Sequence, residues 1–383
     1  MVSARSLFRS GLMAAWMIAG MAAPAGAATI DTVARQVILL DATTNTVLFE
    51  KSADQHMPTS SMSKIMTAFM VFEALRAGKL SLDDTLPVSE HAWRMQGSKM
   101  FVELGGHIKV EDLIRGMIIQ SGNDASIVLA EALAGSEDAF GREITKRAHE
   151  LGMKETNFVN ATGWPDDHHY STCRDLAILA KALIDNFPEF YHYYSERDFT
   201  YHGIKQGNRN PLLYRNMNVD GMKTGHTEIA GYGLIASALR DGRRLILVIN
   251  GLANMQVRAD EPARLLEWGF HEFNVYNLFK PGETVDDLPV WLGQAPSVAA
   301  VTGEGLKVTL AQEERKGMKV TMQAQVPLPA PIRKGDQVGK LVITAPGFVT
   351  REVPLVAAND VERLGFFGRL GAAARHVVLG SKM

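Results

Sequence analysis

Two serines, two lysines and an asparagine stand in this chain at spacings that could support acyl transfer. The tetrapeptide SMSK places Ser61 and Lys64 at i and i+3, on one face of a helix expected over Pro58 to Ala77. An unaided serine hydroxyl is a poor nucleophile, so an adjacent base must take its proton. A lysine can do so only if its pKa falls, which desolvation and nearby positive charge bring about. Ile65, Met66, Phe69 and Met70 supply the apolar surroundings. The alternative is a solvated lysine on the outer face of a core helix, since an S-x-x-K match arises often by chance. Two further motifs weigh against chance. Ser121, Gly122 and Asn123 come just before a helical stretch, and Lys223, Thr224 and Gly225 lead into a strand at an expected sheet edge. A glycine on such a strand lets a substrate backbone approach closely. In this order and these settings the three motifs describe a nucleophile, a base and a substrate-binding strand.

The elements that must bring these residues together are spread over most of the chain. The clusters Val37 to Leu40 and Val47 to Phe49 read as two strands joined by a turn at Thr44 and Asn45. Helical patterns cover Val110 to Met117, Ala125 to Leu133, Glu137 to Leu151, Cys173 to Ile184 and Glu261 to Phe270. Strands return at Gly233 to Ala238 and Arg244 to Asn250. Strands at both ends of a helical middle predict one α/β (α+β) domain whose sheet joins distant segments. From Pro281 to Val356 short alternating segments separated by Pro-Gly and Lys-Gly turns predict a small all-β domain. In the last stretch, Val361, Leu364, Phe367, Leu370 and Val378 are apolar, and every charge beyond Glu362 is positive. That pattern predicts an amphipathic helix lying on an anionic membrane surface. A terminal helix docked on the protein itself is the alternative.

The N-terminus is expected to be removed. Arg5 and Arg9 precede an apolar run from Gly11 to Ala23, and Ala25, Gly26 and Ala27 form a small-residue processing pattern. The expected organisation is therefore a signal peptide over 1–27, a catalytic domain over 28–276, a β-rich domain over 277–357 and a tail helix over 358–383. Composition narrows the function classes. A formal net charge of −2 gives no sign of a nucleic-acid partner, and the one cysteine, Cys173, excludes an intramolecular disulfide or a thiolate zinc cluster. No serine has glycine at both −2 and +2, and Met153 stands where a zinc protease helix starting at His149 would need its second histidine. The adjacent His168 and His169 point in different directions on any regular element, so a loop suits them better than a metal site.

With these motifs the chain resembles the low-molecular-mass penicillin-binding proteins, the serine-type D-alanyl-D-alanine carboxypeptidases of the cell wall. The segments IMTAFM, SGNDAS, LGMKETNF, NVDGMKTGHT, AGYGLIASA and LLEWGF carry the same likeness, which spans essentially the whole sequence. The resemblance implies a β-lactamase/transpeptidase-like fold and assigns roles residue by residue. Ser61 would be the nucleophile and Lys64 its base. Ser121 would relay a proton to the leaving D-alanine, and Asn123 would hold Lys64 and the substrate amide. Lys223 would polarise Ser121, Thr224 would bind the terminal carboxylate, and the backbone N–H groups of Ser61 and His226 would form the oxyanion hole. Arg209 and Arg258 match positions near the site in that family. Arg258 would face the carboxylate, unless it forms a salt bridge with Asp260 or Glu261.

By the same likeness the reaction is a two-step acyl transfer that needs neither metal nor organic cofactor. The partners implied are peptidoglycan stem peptides ending in D-Ala-D-Ala, β-lactam antibiotics and, through the tail, a membrane surface. The location implied is periplasmic, at the outer face of the inner membrane. The rivals are a D,D-endopeptidase or a β-lactamase of the same fold, and a non-catalytic envelope scaffold. A class A lactamase would need an E-x-x-L-N pattern, which is absent. A scaffold would have no need of both nucleophile and base. The segment from Asn160 to Asp175 is expected to form a loop beside the site.

Overall fold

The computed structural model describes residues 30–371. The expected signal peptide and the end of the tail lie outside them. Five antiparallel strands form the central sheet: β1 (Gln36–Asp41), β2 (Thr46–Lys51), β3 (Val219–Thr227), β4 (Gly231–Arg240) and β5 (Arg243–Leu252), in the order β2-β1-β5-β4-β3. The hairpin near the N-terminus thus joins strands from two hundred residues later, with Val37 opposite Ile249 in the register. Both faces of this sheet are covered. Ile246 and Val248 pack into a large helical layer, while Leu245, Leu247 and Ile249 pack against the helix that follows β5. That is why these strands read as continuous apolar runs instead of alternating ones.

The helical layer contains α1 (Lys64–Arg76), α2 (Val110–Ile118), α3 (Asn123–Ala134), α4 (Glu137–Glu150) and α5 (Cys173–Asn186), and α6 (Met255–Glu272) lies on the opposite face. α1 runs through the middle of this layer, with Ile65, Met66, Phe69 and Phe72 fully buried. It begins later than the sequence predicts. Ser60 sits at φ +49°, a left-handed conformation no helix interior tolerates, so Ser60–Ser63 form a separate 3₁₀ turn before α1.

The second unit begins with β6 (Phe273–Phe279), which pairs with β9 (Leu306–Ala311). The boundary expected after residue 276 falls inside this strand. β7 (Thr284–Trp291), β8 (Ser297–Val301), β10 (Lys319–Gln323), β11 (Gln337–Thr344) and β12 (Arg351–Ala357) form a mostly antiparallel sheet around Leu288, Val298, Leu341 and Leu355. Val361 belongs to this core, 2% exposed, and pairs with Ile332 in an isolated bridge, so it does not lie on the tail helix as its spacing suggested. Helical structure starts at Phe366. The two units are joined through Asp41, fully buried at the end of β1. Its Oδ2 accepts from Arg243 Nε at 2.7 Å and from Thr309 Oγ1 at 2.9 Å. No helix among the described residues is long and apolar enough to cross a membrane.

Candidate active site

Three segments converge at the edge of the sheet. The 3₁₀ turn presents Ser61, the loop before α3 presents Ser121 and Asn123, and β3, the edge strand, presents Lys223 and Thr224. Gly225 shows how closely they meet. A Cβ there would lie 2.9 Å from Thr59 O and 3.1 Å from both Met62 Cγ and Ser60 Cβ. What glycine admits at this position is therefore the turn that carries Ser61, instead of the substrate backbone expected from sequence. Ser121 is held at φ +61°, a second strained serine at the same centre.

Lys64 is 1% exposed, and its Nζ lies 2.9 Å from Ser61 Oγ, 2.7 Å from Asn123 Oδ1 and 2.5 Å from Thr162 O. Burial, helped by the positive charge of Arg209, lowers its pKa to about 7. Lys223 is equally buried. Its Nζ donates to Ser121 Oγ at 2.9 Å and to Thr224 O at 3.2 Å, and burial together with Lys64, Arg209 and Arg258 holds its pKa well below the ordinary lysine value. Two amines so close in a dry site cannot both be cationic without mutual cost.

Asn123 works in two directions. Its Oδ1 accepts from Lys64, while its Nδ2 donates to Gln96 O at 2.7 Å and its backbone N–H to Ser98 O at 2.7 Å. The next residue, Asp124, is fully buried, and its carboxylate accepts the N–H groups of Met100, Phe101 and Val102. A loop far from α3 in sequence is thereby pinned to the start of that helix. Arg209 reaches it as well, donating to Ser98 Oγ.

Arg258 on α6 makes neither of the salt bridges considered from sequence. Asp260 pairs with Arg215 at 2.6 Å and Glu261 with Arg264 at 2.7 Å. Arg258 instead lies 5.3 Å from the Tyr232 ring centroid, with Nε buried and without a hydrogen-bond partner. His226, beside Gly225, is exposed and packs on the same Tyr232 ring at 4.0 Å.

Sequence reasoning missed Thr162, whose carbonyl completes the lysine's contacts, and Asn160, which shapes that loop. Asn160 Oδ1 accepts the N–H groups of Thr162, Gly163 and Trp164 at 2.8 to 3.1 Å. The available signal was the Asn-x-x-Gly pattern, a side-chain-to-backbone turn. The two histidines of this loop sit in different surroundings. His169 is buried, its Nδ1 accepting the Val159 N–H at 3.2 Å, while His168 is exposed. Cys173 is buried, and burial pushes its thiol pKa up, in keeping with a packed small hydrophobe.

A serine beside a desolvated lysine, a Ser-x-Asn loop and a Lys-Thr-Gly edge strand on an α/β core define a serine acyltransferase of the penicillin-binding class. Comparison with known proteins narrows the class. The D-alanyl-D-alanine carboxypeptidase family model (peptidase S11) matches residues 22–254, and a model of the C-terminal domain of penicillin-binding protein 5 matches residues 273–363. The chain belongs to the D-alanyl-D-alanine carboxypeptidase family and is a serine carboxypeptidase with an all-β second domain. It is 40% identical to D-alanyl-D-alanine carboxypeptidase DacC of Escherichia coli over 345 residues, 88% of this chain and 86% of the relative. Penicillin-binding protein 5 from Haemophilus influenzae superposes with a TM-score of 0.83 at 36% identity, covering 88% of this chain and all of that one. Penicillin-binding protein D2 from Listeria monocytogenes, in its ampicillin-bound form, gives a TM-score of 0.59 at 33% identity, covering 63% of this chain and 99% of its own.

Proposed function

We propose that the protein removes the terminal D-alanine from peptidoglycan peptides ending in D-Ala-D-Ala, through an acyl-enzyme on Ser61. One observation carries the assignment of roles: the hydrogen-bond count at Lys64. Asn123 Oδ1 and Thr162 O are acceptors only, so they use both N–H bonds of a neutral amine. The remaining lone pair is left for the Ser61 hydroxyl 2.9 Å away. Lys64 thus takes the Ser61 proton as Oγ attacks the carbonyl of the penultimate D-alanine. The N–H groups of Ser61 and His226 receive the oxyanion. Ser121, polarised by Lys223, gives its hydroxyl proton to the departing amine and recovers one from the Lys64 ammonium, so D-alanine leaves and Lys64 is again a neutral amine. Water then hydrolyses the ester and restores Ser61. Thr224 and Arg258 bind the substrate's carboxylate, with Arg209 adding positive charge nearby. The unpartnered, buried Nε of Arg258 supports that role, because a guanidinium without an acceptor is costly inside protein.

β-Lactams enter by the same attack but leave no departing amine, so they should remain on Ser61 longer. The domain division proposed is a catalytic unit followed by the β-rich unit and a tail that holds the protein at a membrane surface. The working location is the cell envelope, on the outer face of the cytoplasmic membrane. Intact-protein mass spectrometry after exposure to penicillin tests the chemistry. One adduct of the drug's mass is expected, together with D-alanine release from an acyl-D-Ala-D-Ala peptide. No adduct, or an adduct retained in Ser61→Ala, overturns the assignment.

A further inference from the structure

We propose that Glu137, the first residue of α4, is a positioning residue for the Lys64 base. Through the Ala161 N–H it fixes the Thr162 carbonyl against the amine, and its carboxylate is the counter-charge for the ammonium formed when Lys64 takes the Ser61 proton. The inference rests on the acyl-transfer reading of the site and adds a residue that none of the three motifs contains.

The helix alone does not account for this side chain. An acidic residue in a first turn ordinarily answers the helix dipole from solvent, as exposed Asp138 does beside it. The Glu137 side chain is only 13% exposed, and both of its oxygens are engaged away from α4. Oε1 accepts the Ala161 N–H at 3.0 Å, and Oε2 lies 2.9 Å from Nε2 of His91, on the short helical turn Glu90–Arg94. Ala161 is 0% exposed, so without this carboxylate a buried donor would go unanswered.

That contact lies one residue from an acceptor of the base itself. Ala161 O accepts from Thr67 Oγ1 at 2.8 Å, and Thr67 stands one turn after Lys64 on α1. Glu137 and Thr67 thus hold Ala161 from both sides, its N–H toward α4 and its carbonyl toward α1. The next carbonyl, Thr162 O, is the one that accepts from Lys64. Where that acceptor sits decides where the amine's lone pair points, so a carboxylate on another helix aims the base at Ser61 Oγ.

Charge leads to the same residue. The groups that act on Lys64 or feel it are Asp124 from α3, Glu137 from α4, His169 from the loop before α5, Arg209 from the segment before β3, and Lys223 from β3. Burial holds the His169 pKa down at about 4, so its ring adds no charge. Arg209 opposes an ammonium at Lys64, as does Lys223 whenever it is charged, and only the two carboxylates favour one. The Asp124 carboxylate is already answered by the N–H groups of Met100, Phe101 and Val102. Glu137 receives the Ala161 N–H alone from the backbone and acts on Lys64 more strongly. Among the described residues Glu137 and Lys64 share no hydrogen bond, so the ammonium is favoured without being locked in place.

The test is the pH profile of penicillin acylation in Glu137→Gln. The amide keeps an oxygen for the Ala161 N–H and removes only the charge, so the midpoint near 7 should move down by about half a pH unit or more. Glu137→Ala loses the hydrogen bond as well. Its plateau rate should fall about tenfold, while the glutamine variant keeps about a third of the wild-type plateau or more. Because His91 can itself take up a proton, the comparison is repeated in a His91→Gln background, where the Glu137→Gln shift should persist. A side chain that merely caps α4 or braces a loop is replaced by glutamine without moving a titration. A Glu137→Gln midpoint equal to that of the wild type, or a shift lost with His91, therefore overturns the proposal. So does an alanine variant on the wild-type plateau, and the glutamine profile decides even where the alanine variant does not fold. A wild-type protein that takes no penicillin on Ser61 overturns the acyl-transfer reading itself, before any variant is compared.

Discussion

In the mechanism proposed, Lys64 is the base because its surroundings divide its hydrogens from its lone pair. The same surroundings set its working pH. Burial is the larger cause of its lowered pKa, near 7, and the Arg209 charge is the next. The neutral amine grows as pH rises through that value, so penicillin acylation of Ser61 should climb with pH and level off above a midpoint near 7. Arg209→Gln removes the second cause and leaves the first, so the midpoint should move upward. Stopped-flow acylation rates across the pH range check both parts. A flat profile would mean that a group other than Lys64 takes the proton, and an unmoved midpoint in the variant would remove Arg209 from the electrostatics of the site.

The elements around the site hold it by close approach of backbones. Gly163 is the tightest case, at φ +76°, where a Cβ would lie 1.9 Å from Ser60 O and 2.7 Å from Ser63 Oγ. The obstructing atoms belong to the turn that carries Ser61, so they cannot move without moving the proposed nucleophile. Gly163→Ala should therefore destabilise the protein by about 2 kcal/mol or more, from a strained φ and overpacking together. It should also slow acylation of the folded fraction, because Thr162 O shifts away from Lys64. Urea unfolding and acylation rates on one preparation test this, and unchanged values of both would show that the loop yields freely. Much of this layout was legible in the sequence. SMSK, SGN and KTG announced the three segments, and the apolar runs Val37 to Leu40 and Arg244 to Asn250 announced the strands beneath them. Left-handed Ser60 was not legible, because a serine in a helical pattern gives no sign that the chain must turn before α1. Thr162 was not legible either, since a carbonyl contact carries no side-chain signature. The meaning of Gly225 depended on which face of β3 meets the turn that carries Ser61, and only the assembled sheet fixes that.

At the scale of the whole molecule, the β-rich unit is fastened to the catalytic one through buried Asp41, Arg243 and Thr309, so the active site and the C-terminus share one frame. The chain leaves that frame after Leu364, whose N–H donates to Leu292 O next to the bridge between Arg363 and Gly293. Beyond it, Phe366 is 65% exposed, Phe367 is 84% exposed and Leu370 is 63% exposed, while Arg363, Arg369, Arg375 and Lys382 are the charges of the segment. Three large apolar side chains left in water, on a basic segment, suit the interface of an anionic bilayer better than the protein's own surface. Because Val361 is part of the β-rich core, a deletion meant to test the anchor must begin after it. Removing residues 366–383 should shift the protein from the membrane to the soluble fraction. It should leave the thermal midpoint and the penicillin acylation rate unchanged, since among the described residues of that segment none touches the proposed site. Each positive charge near an anionic surface contributes about 1 kcal/mol, so the full-length protein should also be released from anionic vesicles by raised salt, though incompletely, because the aromatic side chains stay inserted. If fractionation of the shortened protein matches that of the full chain, the tail does not provide the attachment.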